Sequence, residues 1–233
     1  MLLLDNVSKT YNGTKVIDEL NLNIEKGQIY ALLGSNGAGK TSTINILLGF
    51  IKADSGTIKV DGLDPSKNLT EVRKRTAYIP ENVSLYPYLS GSENLDYFSK
   101  LAGINLPKEE QEAILTKCGL DISAHHKSIK NYSKGMRQKV GIAIAYAKKA
   151  KILLLDEPSS GLDPSASNEL THLLKELSSE GTTILMASHD LFRVRETSNR
   201  IGIINKGKLL DELDPNDISA NDLEGVYLNY MKN

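Results

Sequence analysis

A single cysteine, Cys118, stands in 233 residues. It leaves no intrachain disulfide and no cysteine-based metal cluster, which fits a reducing cytosol. No base partner for its thiol is visible, so packing rather than nucleophilic chemistry is its expected role. Charge of one sign is also missing, with 28 Lys+Arg against 29 Asp+Glu. No global field draws the chain to DNA or to an anionic membrane surface, so nucleic acid is not an expected partner. No run approaches the ~18 consecutive apolar residues of a membrane span, so any membrane crossing must come from another chain. The start, MLLLDNV, lacks a basic region and a long apolar stretch and turns acidic at Asp5, so it reads as a first strand of the mature protein rather than a signal peptide. Internal repeats and low-complexity segments are absent. The length suits one large domain or two small lobes around a proper core.

What is present centres on Gly34, Ser35, Asn36, Gly37, Ala38, Gly39, Lys40 and Thr41, followed by Ser42. Glycine, four residues, then Gly-Lys-Thr is a phosphate-binding loop. Its tight turn aims backbone N–H groups at nucleotide phosphates, Lys40 reaches the β- and γ-phosphates, and the Thr41 hydroxyl serves Mg²⁺. An apolar run, Ile29 to Leu33, precedes it, and Ile44, Leu47 and Leu48 recur behind it on one helix face. Strand, loop and helix is the context this motif needs, with the helix dipole adding to the anion site. The expected ligand is ATP or GTP.

Around the loop the sequence predicts strands at Leu2 to Val7, Lys15 to Ile24, Gln28 to Leu33 and Thr57 to Val60, with Asp54-Ser55-Gly56 as a turn. A strand over Thr76 to Ile79 stops at Pro80. Helical spacing then takes over in Ser90 to Gly103 and Lys108 to Cys118. The division this predicts is a helical subdomain at 83–129 inserted in a core built from 1–82 and 130–233. Beyond it come a helix over Gly135 to Ala150, a buried strand over Lys151 to Leu155, a helix over Ser165 to Leu177, a strand over Thr182 to Ala187, a helix over Leu191 to Thr197 and a strand over Ile201 to Ile204. Strands alternating with helices imply an α/β fold with a parallel sheet and right-handed crossovers. Asn205 to Lys208 reads as a hairpin turn, and Asp214 to Asn233 as a helical tail.

Asp156 and Glu157 close the buried strand, at the sheet edge where open α/β sheets bind ligands. One carboxylate there can hold the Mg²⁺ shell while its neighbour activates water against the γ-phosphate. His189 follows the next strand on the same edge, within reach of the γ-phosphate or the attacking water. His125, His126 and His172 lack such placement and read as structural or solvated. Ser133 reads as a helix N-cap, with Gly135 leaving the backbone open. That start is either a plain cap or an anion site.

The order of these motifs resembles the ATP-binding subunit of ABC (ATP-binding cassette) transporters over essentially the whole chain. It runs through the phosphate loop, a strand ending in Pro-Glu, a helical insert, a Ser-x-Gly helix start, LLLDEP, SGLD and a late histidine. The resemblance implies a P-loop fold with a mixed, mostly parallel sheet and an N-terminal antiparallel β part. It also implies ATP and Mg²⁺ as cofactors. Tyr11 would stack on adenine beside Val16, although local packing competes for that tyrosine. Ser35 to Ser42 would wrap the phosphates, Asp156 hold Mg²⁺ and Glu157 act as general base. His189 would sense the γ-phosphate and Asp163 cross to a second subunit. Ser133, Lys134, Gly135 and Met136 match the family signature, which completes the partner's ATP site in a head-to-tail dimer. The implied partners are a second cassette, identical or a close paralogue, and a separate permease that holds the chain at the cytoplasmic face of the membrane.

Two departures from the family pattern stand out. The usual Leu-Ser-Gly-Gly-Gln is Tyr132-Ser133-Lys134-Gly135-Met136, so Lys134 either adds a cation near the partner's phosphates or points to solvent. The usual Gln after Ile79-Pro80 is Glu81, a carboxylate able to approach Mg²⁺ or water at the cost of added negative charge. With Leu85-Tyr86-Pro87 and Ser90 to Asn94, these variants are similar to bacterial cassettes that export drugs, peptide antibiotics or lipids. A soluble ABC ATPase acting on DNA or ribosomes is the alternative, but neither a sustained heptad nor a second phosphate loop is present. A GTPase would want Asn-Lys-x-Asp to read guanine, and Asn205-Lys206-Gly207 is followed by Lys208. A regulatory nucleotide binder with little turnover is the remaining alternative, should Glu81 or the altered signature weaken catalysis.

Overall fold

The computed structural model describes residues 1–232. Two sheets share the work. The first joins β1 (Leu2–Tyr11), β2 (Thr14–Ile24) and β4 (Ser55–Val60) in the order β2-β1-β4, all antiparallel. The second has the order β5-β6-β7-β3-β8-β9. It contains β3 (Ile29–Leu33), β5 (Thr76–Ile79), β6 (Ile152–Asp156), β7 (Thr183–Ser188), β8 (Arg200–Asn205) and β9 (Lys208–Leu213). Pairing in it is parallel except between β8 and β9, which the Lys206-Gly207 hairpin makes antiparallel. This is the mixed α/β architecture expected from the sequence.

The central strands are buried end to end because both their faces are covered. Successive side chains of a strand point to opposite faces, and here they feed two separate cores. Ile29, Ala31, Leu33, Leu153, Leu155, Ile184 and Met186 pack against α5 (Lys134–Ala147) and α6 (Pro164–Ser179). Their neighbours Tyr30, Leu32, Leu154, Leu185 and Ala187 pack with Ile44 and Leu47 of α1 (Lys40–Leu47) and with the antiparallel sheet. Fully burying one such aliphatic side chain contributes about 1.5–3 kcal/mol.

Between β5 and β6 lie α3 (Gly91–Leu101), α4 (Lys108–Lys117) and two 3₁₀ turns before α5. α3 starts in a capping box: Ser90 Oγ accepts from Glu93 N at 3.2 Å, and the Glu93 carboxylate accepts from Ser90 N at 2.7 Å. Cys118 is buried at the end of α4, and burial pushes its thiol up to about 12, in keeping with a packing role. His125 is buried against the Leu120 carbonyl, whereas His126 and His172 are exposed. α7 (Leu191–Thr197) and α8 (Ala220–Lys232) complete the chain. The predicted tail thus becomes helical only from Ala220, and its last residue, Asn233, lies outside the described residues.

One expectation needs correction, and one element is added. Asp54-Ser55-Gly56 is not simply a turn, because β4 begins at Ser55 and pairs Ser55 with Ser8 of β1. Gly56 is small because the strands touch: with φ +90°, a Cβ there would stand 2.5 Å from the Asn6 carbonyl oxygen. The added element is a helix over Leu69–Arg75, α2. Only Val72 is buried in it, so it offers almost no apolar periodicity to read.

Candidate active site

Parallel pairing brings the ends of β3, β6 and β7 to one edge. The ladder runs one step past the strands, with Gly34 N donating to Ser188 O at 3.2 Å and Glu157 N to Ala187 O at 2.8 Å. These two bonds fix the start of the phosphate loop, the Asp156-Glu157 pair and His189 side by side. The loop then turns into α1 through Gly39 at φ +110°, where a Cβ would meet the Val16 carbonyl oxygen at 2.7 Å. Only glycine fits there, and no side chain caps α1, so its first N–H groups stay available to an anion.

A cavity of about 460 Å³ opens over this edge. Val16, Ser35, Asn36, Gly37, Gly39, Lys40, Thr41 and Ser42 line one side, and Glu81, Asp156 and Glu157 the other. Lys40 is buried and donates to the carbonyls of Gly34 at 2.6 Å and Ser35 at 3.2 Å. Its ammonium also lies 3.3 Å from Glu157 Oε1. The other carboxylate oxygen of Glu157 faces His189 Nδ1 at 2.9 Å and accepts from Ser188 Oγ and His189 N, each at 3.3 Å. Glu157 itself sits at φ +47°. Such a backbone costs of order 1–3 kcal/mol for a non-glycine residue and persists only where the surroundings over-determine it. Here the bond to Ala187 and the contacts of the carboxylate hold it.

Thr41 Oγ1 donates to Asp156 Oδ2 at 2.9 Å. Burial raises the Asp156 carboxyl above the ordinary range, with the negative charges of Glu157 and Glu81 adding to it and the Thr41 hydrogen bond and Lys40 opposing it. Among the described residues no group of three or more His, Cys, Asp or Glu is arranged to hold a metal ion. One hydroxyl and one carboxylate are what the protein offers, a set that fits Mg²⁺, which keeps waters and takes substrate phosphates as its other ligands.

The remaining sequence candidates fall elsewhere. Ala38 is buried beneath the loop, its carbonyl accepting from Gly207 N at 2.9 Å. Tyr11 ends β1, 42% exposed, with Lys9 Nζ 5.3 Å from its ring centre, and it does not line the cavity. Ser133 caps α5, its Oγ accepting from Met136 N at 3.2 Å, while Met136 packs on the larger core. Asp163 caps α6 through Ala166 N at 2.9 Å. Neither the 133–136 segment nor Asp163 lines the cavity of its own chain. Glu81 accepts from Ser160 Oγ at 2.9 Å and pairs with Lys134 at 3.5 Å, so Lys134 is not simply in solvent. Ser160 and Ser188 were not singled out from sequence. Ser160 opens the recognised SGLD motif and Ser188 directly precedes His189, and that placement is the signal the sequence carries for them.

Residues 17–160 match the ABC transporter family. The chain belongs to that family. Among curated relatives, it is 39% identical over 208 residues to the bacitracin transport ATP-binding protein BcrA of Bacillus licheniformis, covering 89% of this chain and 67% of the relative. It is 36% identical over 212 residues to the lantibiotic transport ATP-binding protein SrtF of Streptococcus pyogenes, covering 91% of this chain and 90% of the relative. A solved dimeric ATP-binding cassette in a post-hydrolysis state with ADP and Pi superposes with a TM-score of 0.82 at 26% identity, over 92% of this chain and 99% of that one. This ABC cassette is therefore an ATPase that binds ATP and hydrolyses it to power transport. Cassettes of the family dimerise and work with membrane permeases. No described helix of this chain is long and apolar enough to cross a membrane.

Proposed function

We propose that this cassette drives export of a peptide antibiotic or drug-like molecule through a separate permease, as half of a head-to-tail dimer at the cytoplasmic face of the membrane. The observation that carries the catalytic part is the meeting of Lys40, Glu157 and His189 at one sheet edge. Glu157 is the general base, taking the proton of the water that attacks the γ-phosphate. His189, hydrogen-bonded to that carboxylate, orients it and faces the γ-phosphate. Lys40 leaves Glu157 for the phosphates when ATP enters, which releases the base for water. Thr41 and Asp156 hold Mg²⁺, which supplies charge neutralisation on the phosphate oxygens when bound. Val16 and Tyr11 form the adenine side. Ser133 and Gly135 at the start of α5 face away from their own cavity and complete the partner's, with Asp163 at the same seam.

The unit at 83–129 carries the motion of the closing dimer to the permease, between a core formed by 1–82 and 130–233. The cargo class rests on the bacitracin and lantibiotic transport relatives, similar over about nine-tenths of the chain. Mixed dimers test the arrangement. One subunit carries Ser133→Ala and the other Lys40→Ala, so each dimer retains a single intact phosphate loop. The head-to-tail arrangement predicts that this loop, completed by the unaltered signature of the Lys40→Ala subunit, keeps hydrolysing, while in the reciprocal dimer carrying both changes in one subunit the intact loop meets the altered signature and hydrolyses poorly. Hydrolysis lost in the subunit's own site alone would overturn it.

A further inference from the structure

Glu81 and Lys134, the two departures from the family pattern, meet. The Lys134 ammonium lies 3.5 Å from Glu81 Oε1, and that same oxygen accepts from Ser160 Oγ at 2.9 Å. The Lys134 side chain crosses the turn after β6, with Cδ and Nζ both 3.7 Å from the place a Cβ would take on Gly161. Gly135, next in sequence, is pressed on the first turn of α6, where its Cβ would stand 3.2 Å from the Ala166 methyl. One ammonium thus ties three segments that share no strand: the loop after β5, the turn after β6 and the start of α5. Ser160 holds the Glu81 carboxyl below its ordinary range, helped by Lys134 and by His189 nearby, so the acceptor is a carboxylate. Glu81 also lines the nucleotide cavity of its own chain.

In the head-to-tail reading above, on which this inference rests, the segment carrying Lys134 faces the partner's nucleotide. One ammonium cannot serve both anions. We propose that Lys134 exchanges partners: it is tied to Glu81 in the single cassette and passes to the γ-phosphate of the ATP bound by the second copy when the dimer closes. Glu81 then sets the nucleotide concentration at which closure occurs. The pair is suited to release, because its side chains are 22% and 47% exposed and the contact is long. A γ-phosphate carries more charge than a carboxylate, and a closed interface strengthens the attraction. Lys134 is a positioning residue in the open state and a phosphate ligand only in the closed one.

The test uses the full chain carrying Glu157→Gln, so that closed dimers accumulate, with ATP titrations followed by sedimentation velocity. Adding Glu81→Gln lowers the ATP midpoint for dimerisation about two- to fivefold, the range expected when an exposed ion pair no longer has to be broken. With Lys134→Ala also present, Glu81→Gln produces no shift, whereas with Lys134→Arg the shift returns. Direct repulsion between Glu81 and its own chain's ATP gives the same shift whether or not Lys134 is present, and that result overturns the exchange. If Glu157→Gln alone never dimerises with ATP, the head-to-tail reading itself fails, a distinct outcome visible before any second substitution is made.

Discussion

Replacing Glu157 by Gln removes one charge and almost no volume. Ser188 Oγ and His189 N can still donate to the amide oxygen at the places they now occupy, and the amide tolerates the same backbone, so the turn at φ +47° keeps its supports. Two things change. The proton acceptor is lost, and general-base catalysis contributes about 10²–10⁴-fold, so steady-state phosphate release should fall by at least two orders of magnitude. Lys40 also loses its 3.3 Å counter-ion, in a pair only 6% and 13% exposed. In the parent protein ATP must draw the lysine away from that carboxylate, and the carboxylate itself faces the incoming phosphates.

Relieving that competition should tighten ATP binding by up to about tenfold, equivalent to ~1.4 kcal/mol. The two effects run in opposite directions, which separates them from unfolding or general damage. Calorimetric titration with ATP gives affinity, and a coupled phosphate assay on the same preparation gives turnover. Hydrolysis within tenfold of the parent would remove Glu157 from the base role. Weaker ATP binding would refute the view that Glu157 holds Lys40 in reserve.

Lys40→Ala should weaken ATP binding by at least 100-fold in the same titration, because the phosphates lose their buried cation; since Lys40 also braces the Gly34 and Ser35 carbonyls, a small loss of melting temperature should accompany it. Asp156→Asn should raise the melting temperature of the nucleotide-free protein at neutral pH by about 2–4 °C, the equivalent of ~1 kcal/mol for a chain of this size, while abolishing the extra stabilisation by Mg²⁺ with ATP. The sign follows from burial: the folded carboxyl titrates above its unfolded value, so the cost of its charge is fully present at neutral pH and fades as pH falls through the folded value, and the gain from Asn should shrink with it. Cys118 should resist iodoacetamide at pH 8 and react at once in denaturant, since a thiol raised to about 12 and shut from solvent offers almost no thiolate; labelling in the native state would contradict its burial.

The sequence was most readable where burial is two-sided. β3, β6 and β7 are buried along their whole length and mostly apolar because helices or a second sheet cover both faces, and such runs stand out without any alignment. Their carboxyl ends carry the phosphate loop, Asp156-Glu157 and His189, so locating the strands also located the chemistry. Legibility fell off with burial. α2 hides one residue, the outer part of β1 from Ser8 to Tyr11 hides none, and Gly56 marks a close strand contact that looks like a turn. The contacts that join the motifs are of another kind. Lys40 with Glu157, and Lys134 with Glu81 and Ser160, are side-chain pairings between segments far apart in the chain, and no local period encodes them. Each departure from the family pattern could be read alone, one as surplus negative charge near ATP and the other as a stray cation. Only the fold shows that each is the counter-charge of the other, which turns two separate anomalies into a single coupled position. That coupling predicts a non-additive pair, a property neither residue has in isolation.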